Sequence, residues 1–209
     1  MDGPDAGWTV LAILGPSAVG KSVAAQAIAQ AHGMSWIQVD DLRLAMQASD
    51  IERPSGTLER LHYFERAMDV WSRPPEELKD VLVDFACLMA PAVRSVIDSH
   101  IVTGVPAVIE GDGILPALSA DPVLRPHIAA GRLRFCCVVP ETVDELLFNV
   151  RARGRGIGDL GADERIRQAE MNFSFGQWLV ENSGRSGVPV VCSRPLATLP
   201  DRLLAAGVV

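Results

Sequence analysis

The chain has 209 residues, 48% hydrophobic and 22% charged, with a formal net charge of −7 at pH 7. That length suits one compact domain whose apolar core needs neither disulfides nor a structural metal. The acidic balance argues against an autonomous nucleic-acid binder, whose footprint is a basic excess.

Strand-like and helix-like segments alternate. Thr9–Leu14 is a short, nearly continuous apolar run, as expected of a central parallel strand covered on both faces. Gly15–Gly20 is a loop, and Lys21–His32 is an Ala-rich helix stopped at Gly33. Ser35–Val39 is a second strand, ending in Asp40 and Asp41. The acceptor-side region, about 41–103, is largely helical. It is broken at Arg53–Gly56 and at Pro74–Pro75, and Pro91 is expected to kink or split its last helix, Glu76–Val102. Pro106–Ile109 is a third strand running into Glu110-Gly111-Asp112-Gly113, and Arg134–Val139 a fourth. The helix Thr142–Arg153, a glycine-rich connector and the helix Ala162–Asn182 follow. Val188–Cys192 is the fifth strand and Leu199–Ala206 the closing helix. Five apolar strands separated by helices predict an α/β fold: a three-layer α/β/α sandwich over a five-stranded parallel sheet, as one domain over 1–209. Ligands of such sheets bind beyond the carboxyl ends of the strands.

Gly15-Pro16-Ser17-Ala18-Val19-Gly20-Lys21-Ser22 fits G-x-x-x-x-G-K-[ST] at every fixed position, between a buried strand and a helix. The glycines let successive backbone N–H groups turn inward on a phosphate, and the helix N-terminus adds its positive end. Lys21 would reach the β- and γ-phosphates as a compact charge, the Ser22 hydroxyl would meet Mg²⁺, and Val23 completes the contact run. Only two of the 19 basic residues are lysines, and Lys21 is one of them; a guanidinium would not substitute well there. The expected ligands are ATP and Mg²⁺.

Asp40-Asp41-Leu42-Arg43 stands where a substrate would face the γ-phosphate. A carboxylate there, Asp40 in preference to Asp41, can align an acceptor hydroxyl and take its proton. Either aspartate also suits a helix N-cap. Arg43, three residues on from Asp40, can clamp an acceptor phosphate or carboxylate. Glu110, at the end of a strand expected beside the first, suits a magnesium acid, and Asp112 suits metal or an acceptor hydroxyl. Near the end of the chain, Arg194 follows the fifth strand and can stack on a nucleotide base.

The phosphate loop followed by D-x-x-R after the second strand resembles the small-molecule and polynucleotide kinases of the P-loop superfamily. It also resembles chloramphenicol phosphotransferases and zeta-toxin-type kinases. In those families the aspartate matching Asp40 is the catalytic base, which the resemblance carries over to this chain. Val108–Pro116 resembles the I-E-G segment of 2-phosphoglycerate kinase-like proteins, although Asp112-Gly113 stands where those carry a histidine. The resemblance implies a lid over the nucleotide at about 151–167, where five arginines meet three acids. Arg151 and Arg155, four residues apart, are the pair best placed to stabilise the transferring phosphoryl group.

The expectation is therefore an ATP- and Mg²⁺-dependent kinase acting on a hydroxyl of a small molecule, phosphoglycerate-like in one reading. An antibiotic or nucleotide-sugar kinase is the alternative within enzymes, and an ATPase or switch acting on a protein partner is the alternative outside them. The acidic N-terminus and the short apolar runs fit neither a signal peptide nor a membrane span. With four cysteines in no metal-site spacing, the chain reads as cytoplasmic with reduced thiols, a monomer or homodimer. Cys136, Cys137 and Cys192 read as small buried hydrophobes, Trp71 and Trp178 as packing residues.

Overall fold

The computed structural model describes residues 7–49, 52, 54–153 and 160–206. Strands β1 (Val10–Leu14), β2 (Ser35–Gln38), β3 (Ala107–Gly111), β4 (Leu133–Val139) and β5 (Val190–Cys192) form one sheet in the order β2-β3-β1-β4-β5. Every pairing is parallel.

Side chains of β1 alternate between the two faces, as the two-residue repeat of a strand requires. Val10, Ala12 and Leu14 join a core with α5 (Pro75–Thr103) and α8 (Ala162–Ser186). Leu11 and Ile13 join a second core with α1 (Lys21–His32), α7 (Val143–Arg153) and α9 (Leu199–Ala206). The predicted three-layer sandwich is the observed fold. Residues such as Ile13 and Phe175 are fully enclosed, each contributing about 1.5–3 kcal/mol by leaving water.

Four local differences have physical causes. Val39 opens helix α2 (Val39–Ala48) instead of ending β2, which puts Asp40 and Asp41 in a helical first turn. Strand β3 runs on to Gly111, so Glu110 lies inside the sheet, opposite Ile13 of β1 and Gln38 of β2. Pro91 does not split α5. Its missing N–H would have met the Cys87 carbonyl, and both residues face solvent, where water replaces the bond. Finally, Cys192 is exposed, unlike the buried Cys136 and Cys137. Burial pushes the thiols of Cys136 and Cys137 up to about 12 and about 11, so both stay protonated. The largely helical region after β2 runs from α2 through α3 (Thr57–Leu61) and α4 (Tyr63–Arg66) into α5. A short helix, α6 (Arg125–Ala129), lies unforeseen between β3 and β4.

Candidate phosphate and acceptor site

The loop Gly15–Gly20 joins β1 to α1 at the carboxyl edge of the sheet. Gly15 has φ +149°, and a Cβ there would lie 2.2 Å from the Val138 carbonyl oxygen and 3.3 Å from Lys21 Cδ. Only glycine lets the loop pass that close to β4 and to the lysine stem. Lys21 is 6% exposed, and its ammonium donates to the Pro16 carbonyl at 2.6 Å. Ser22 lines the phosphate cavity, whereas Val23 is exposed.

The outer limb of the loop is held by two asparagines that the sequence reading did not single out. Asn149 of α7 donates to the Ala18 carbonyl at 2.8 Å, where Ala18 adopts φ +67°. Asn172 of α8 accepts from the Ser17 N–H at 3.0 Å. Both are buried, at 9% and 2% exposure. Their signal in the sequence is an amide on an otherwise apolar helical face. Arg194 donates to Asn149 Oδ1 at 2.6 Å, pairs with Glu145 at 3.4 Å and lies 5.9 Å from the exposed Phe148 ring.

Asn149→Ala removes both contacts and leaves the Ala18 carbonyl buried without a donor, a cost of about 1–3 kcal/mol. The expected result is a lower Tm together with roughly tenfold weaker ATP binding, read by titration calorimetry. Unchanged ATP affinity in a folded variant would mean that the loop holds its shape without Asn149.

Across the sheet edge, Val39 packs against Gly111 and Gly113, where a Cβ would come within 2.6 and 2.8 Å of the valine side chain. That close approach brings the start of α2 onto the Glu110–Gly113 segment. Asp40, Glu110 and Asp112 consequently share with Lys21 and Ser22 the lining of one cavity of about 50 Å³. Glu110 is 4% exposed, and no hydrogen bond or ion pair reaches its carboxylate among the described residues. Among the described residues no three acids are gathered closely enough to cage a metal ion; Glu110 and the Ser22 hydroxyl give the cavity oxygen donors of the kind Mg²⁺ takes beside phosphate.

Burial pushes the Asp112 carboxyl up, Asp40 and Glu110 add to the effect, and Lys21 and Arg43 oppose it; the outcome is a rise from 3.8 to about 6. A carboxyl raised in this way holds more protons folded than unfolded between those values. Its ionisation therefore removes stability as pH rises from about 4 to 6, and the loss persists above that range. Asp112→Asn is expected to flatten that part of the stability–pH curve and to raise Tm at pH 7, by roughly 2–4 °C per kcal/mol relieved. Thermal melts from pH 4 to 8 measure it, and an unchanged pH slope would contradict it.

A second cavity, of about 440 Å³, adjoins the first, with Ser17, Asp40 and Asp112 lining both. Asp40 is largely exposed to it and lies 3.4 Å from Arg43 Nε. The other arm of Arg43 pairs closely with Glu65. Burial raises the Glu65 carboxyl, but hydrogen bonds from His62, Arg43 and Gln47 outweigh it and hold the group below the usual carboxylate range. Asp41 is exposed and lines neither cavity. Trp71 and Trp178 both pack against the core as expected; Trp71 also lines the larger cavity, and Trp178 stacks on Phe175 at 6.1 Å. Arg151 is exposed in the last turn of α7. Arg155 and most of the glycine-rich connector lie outside the described residues. Where the description resumes, Leu160 lines the larger cavity, and Glu164 accepts from the Gly161 N–H at 2.6 Å at the start of α8.

A glycine-bounded loop after the first strand, a buried lysine beneath it and an acid on the adjacent strand β3 define the P-loop nucleotide-binding fold. The chain belongs to the AAA domain family, whose model matches residues 10–155. No curated protein matches it. Among solved structures it is similar to a gluconokinase from Sinorhizobium meliloti 1021, with 18% identity, 95% of this chain and 90% of that chain covered, and a TM-score of 0.55. It is also similar to an uncharacterized protein from Eubacterium ventriosum ATCC 27560, with 13% identity, 94% and 96% covered, and a TM-score of 0.49. Among the described residues no helix is long and apolar enough to cross a membrane.

Proposed function

We propose that this protein is a phosphotransferase that moves the γ-phosphoryl group of ATP to a hydroxyl of a small molecule. The observation that carries the reading is the pair of adjoining cavities, one framed by Lys21 and Ser22 and the other large enough for a metabolite, with Asp40 and Asp112 lining both. A nucleotide switch needs the first cavity and has no use for the second. The gluconokinase likeness agrees in fold.

In this reading the loop N–H groups and Lys21 hold the β- and γ-phosphates. Ser22 and Glu110 hold Mg²⁺, which when bound neutralises charge on the phosphate oxygens. Asp40 aligns the acceptor hydroxyl and takes its proton as the oxygen attacks the γ-phosphorus, while the bond to the bridging oxygen breaks and ADP leaves. Arg43, held between Asp40 and Glu65, orients Asp40 and borders the acceptor. Arg151 and Arg155 are the arginines assigned to the transferring group, and Arg194, beside the exposed Phe148 ring, is assigned to the base.

ADP release measured with and without hydroxylated acceptors tests the reading. Acceptor-dependent release above the hydrolytic background is expected, whereas a rate that no alcohol raises would favour an ATPase acting on a protein partner.

A further inference from the structure

The larger cavity has two unlike ends. Asp40, Asp112 and Ser17 form the end shared with the phosphate site. The remaining wall is largely aromatic and aliphatic, with Phe64, Trp71, Phe85, Leu82 and Met171. Its aromatic part is pre-ordered. Phe64 stacks on Trp71 at 5.9 Å and 29°, and Tyr63 braces Phe64 edge-on at 5.4 Å. Phe64 and Trp71 are only half-buried, so apolar ring surface faces the cavity. A planar ring covers that surface by offset stacking more fully than the C–H groups of a polyol can.

Charge excludes a second class of ligand. Arg43 is engaged through Nε by Asp40 and through one terminal nitrogen by Glu65, which leaves less of its guanidinium for a carboxylate. With Glu65 and Asp112 on the same wall, the exposed Arg60 is the one cation lining the cavity that has no ion-pair partner among the described residues. Among the described residues lining the cavity, an anionic acceptor would meet Asp40, Glu65 and Asp112 against Arg43 and Arg60. One further atom points to a ligand. Gln168 of α8 lines the cavity, and its Oε1, turned away from solvent, has no hydrogen-bond donor among the described residues. A buried acceptor of this kind is costly unless something donates to it.

We infer that the acceptor is a neutral alcohol carrying an aromatic ring and an N–H or O–H donor. Its ring lies on the Phe64–Trp71 wall, its donor meets the Gln168 amide once that side chain turns its Oε1 toward the cavity, and its reacting hydroxyl lies at Asp40. The inference rests on the phosphotransferase reading above. Transfer joins the hydroxyl oxygen to the γ-phosphorus, breaks the bond to ADP and leaves the hydroxyl proton on the Asp40 carboxylate.

The test compares N-benzoylethanolamine, tyrosol and adenosine with gluconate, glycerate and glucose at saturating MgATP, with product masses checked. The aromatic alcohols should show at least tenfold higher kcat/KM. They should also quench tryptophan fluorescence saturably in the wild type. In Trp71→Phe the quench should be lost while calorimetric binding persists. Gln168→Leu should raise KM for N-benzoylethanolamine several-fold with kcat little changed. Faster transfer to gluconate or glycerate than to any aromatic alcohol would overturn the inference and leave the phosphotransferase reading standing. Absence of saturable binding by every aromatic alcohol would overturn it as well. ATP hydrolysis with no phosphorylated alcohol from either group would instead overturn the phosphotransferase reading.

Discussion

Asp40→Asn is expected to lower phosphoryl transfer about 10²–10⁴-fold, the contribution of a positioned general base, while ATP affinity stays within about twofold. The variant keeps the shape of the side chain at a position 3.4 Å from Arg43 Nε and removes only the basic carboxylate. Asp40 faces the acceptor cavity and contacts no part of the Gly15–Ser22 loop by hydrogen bond or ion pair among the described residues, so nucleotide binding has no reason to fall. The competing assignment is Asp112, which lines the same two cavities. Were Asp112 the base, Asp40→Asn would transfer at near wild-type rate and Asp112→Asn would be dead. Single-turnover transfer with each variant, alongside ATP titrations, separates the two.

Lys21→Ala is expected to lose both functions. Its ammonium is buried on the Pro16 carbonyl at 2.6 Å, inside a loop built to surround anionic oxygens. Removing one partner of a buried charge pair costs about 3–5 kcal/mol, which is roughly 10²–10⁴ in ATP affinity. Lys21→Arg should not rescue it. The missing Gly15 Cβ would already stand 3.3 Å from Lys21 Cδ, and the adjoining cavity is only about 50 Å³, too tight for a planar guanidinium. Lys21→Ala also removes a charge that opposes the rise of the Asp112 carboxyl, so the pH dependence of stability should shift upward as well. ATP binding by the alanine variant at near wild-type affinity would contradict the role of Lys21.

The parts of the molecule that are legible in the sequence are those whose physics is local. An apolar run, a glycine-bounded loop and a lysine before an Ala-rich helix specify β1, the phosphate loop and α1 within a few contiguous residues. Glu110 is nearly as legible, because the strand that carries it pairs directly with β1. What escapes depends on contacts between distant segments. Asn149 and Asn172 reach the loop across 131 and 155 residues, and nothing beside them in sequence says what their amides meet. Trp71 is a packing aromatic, as the sequence suggests, and only the fold shows that it lines a cavity as well. His62 has no partner spacing of its own; its role emerges only through Glu65, which it supports while Glu65 holds Arg43. Pro91 misleads for a related reason, since whether a proline breaks a helix depends on whether the orphaned carbonyl faces water.

Incubation with ATP labelled at the γ-phosphorus, Mg²⁺ and a mixture of hydroxylated small molecules measures transfer of the γ-phosphoryl group to an alcohol directly. The label is expected in an alkali-stable phosphomonoester whose mass exceeds that of its parent alcohol by one phosphoryl group, and Asp40→Asn should form it about 10²–10⁴-fold more slowly. Label recovered only as inorganic phosphate or on protein would contradict it.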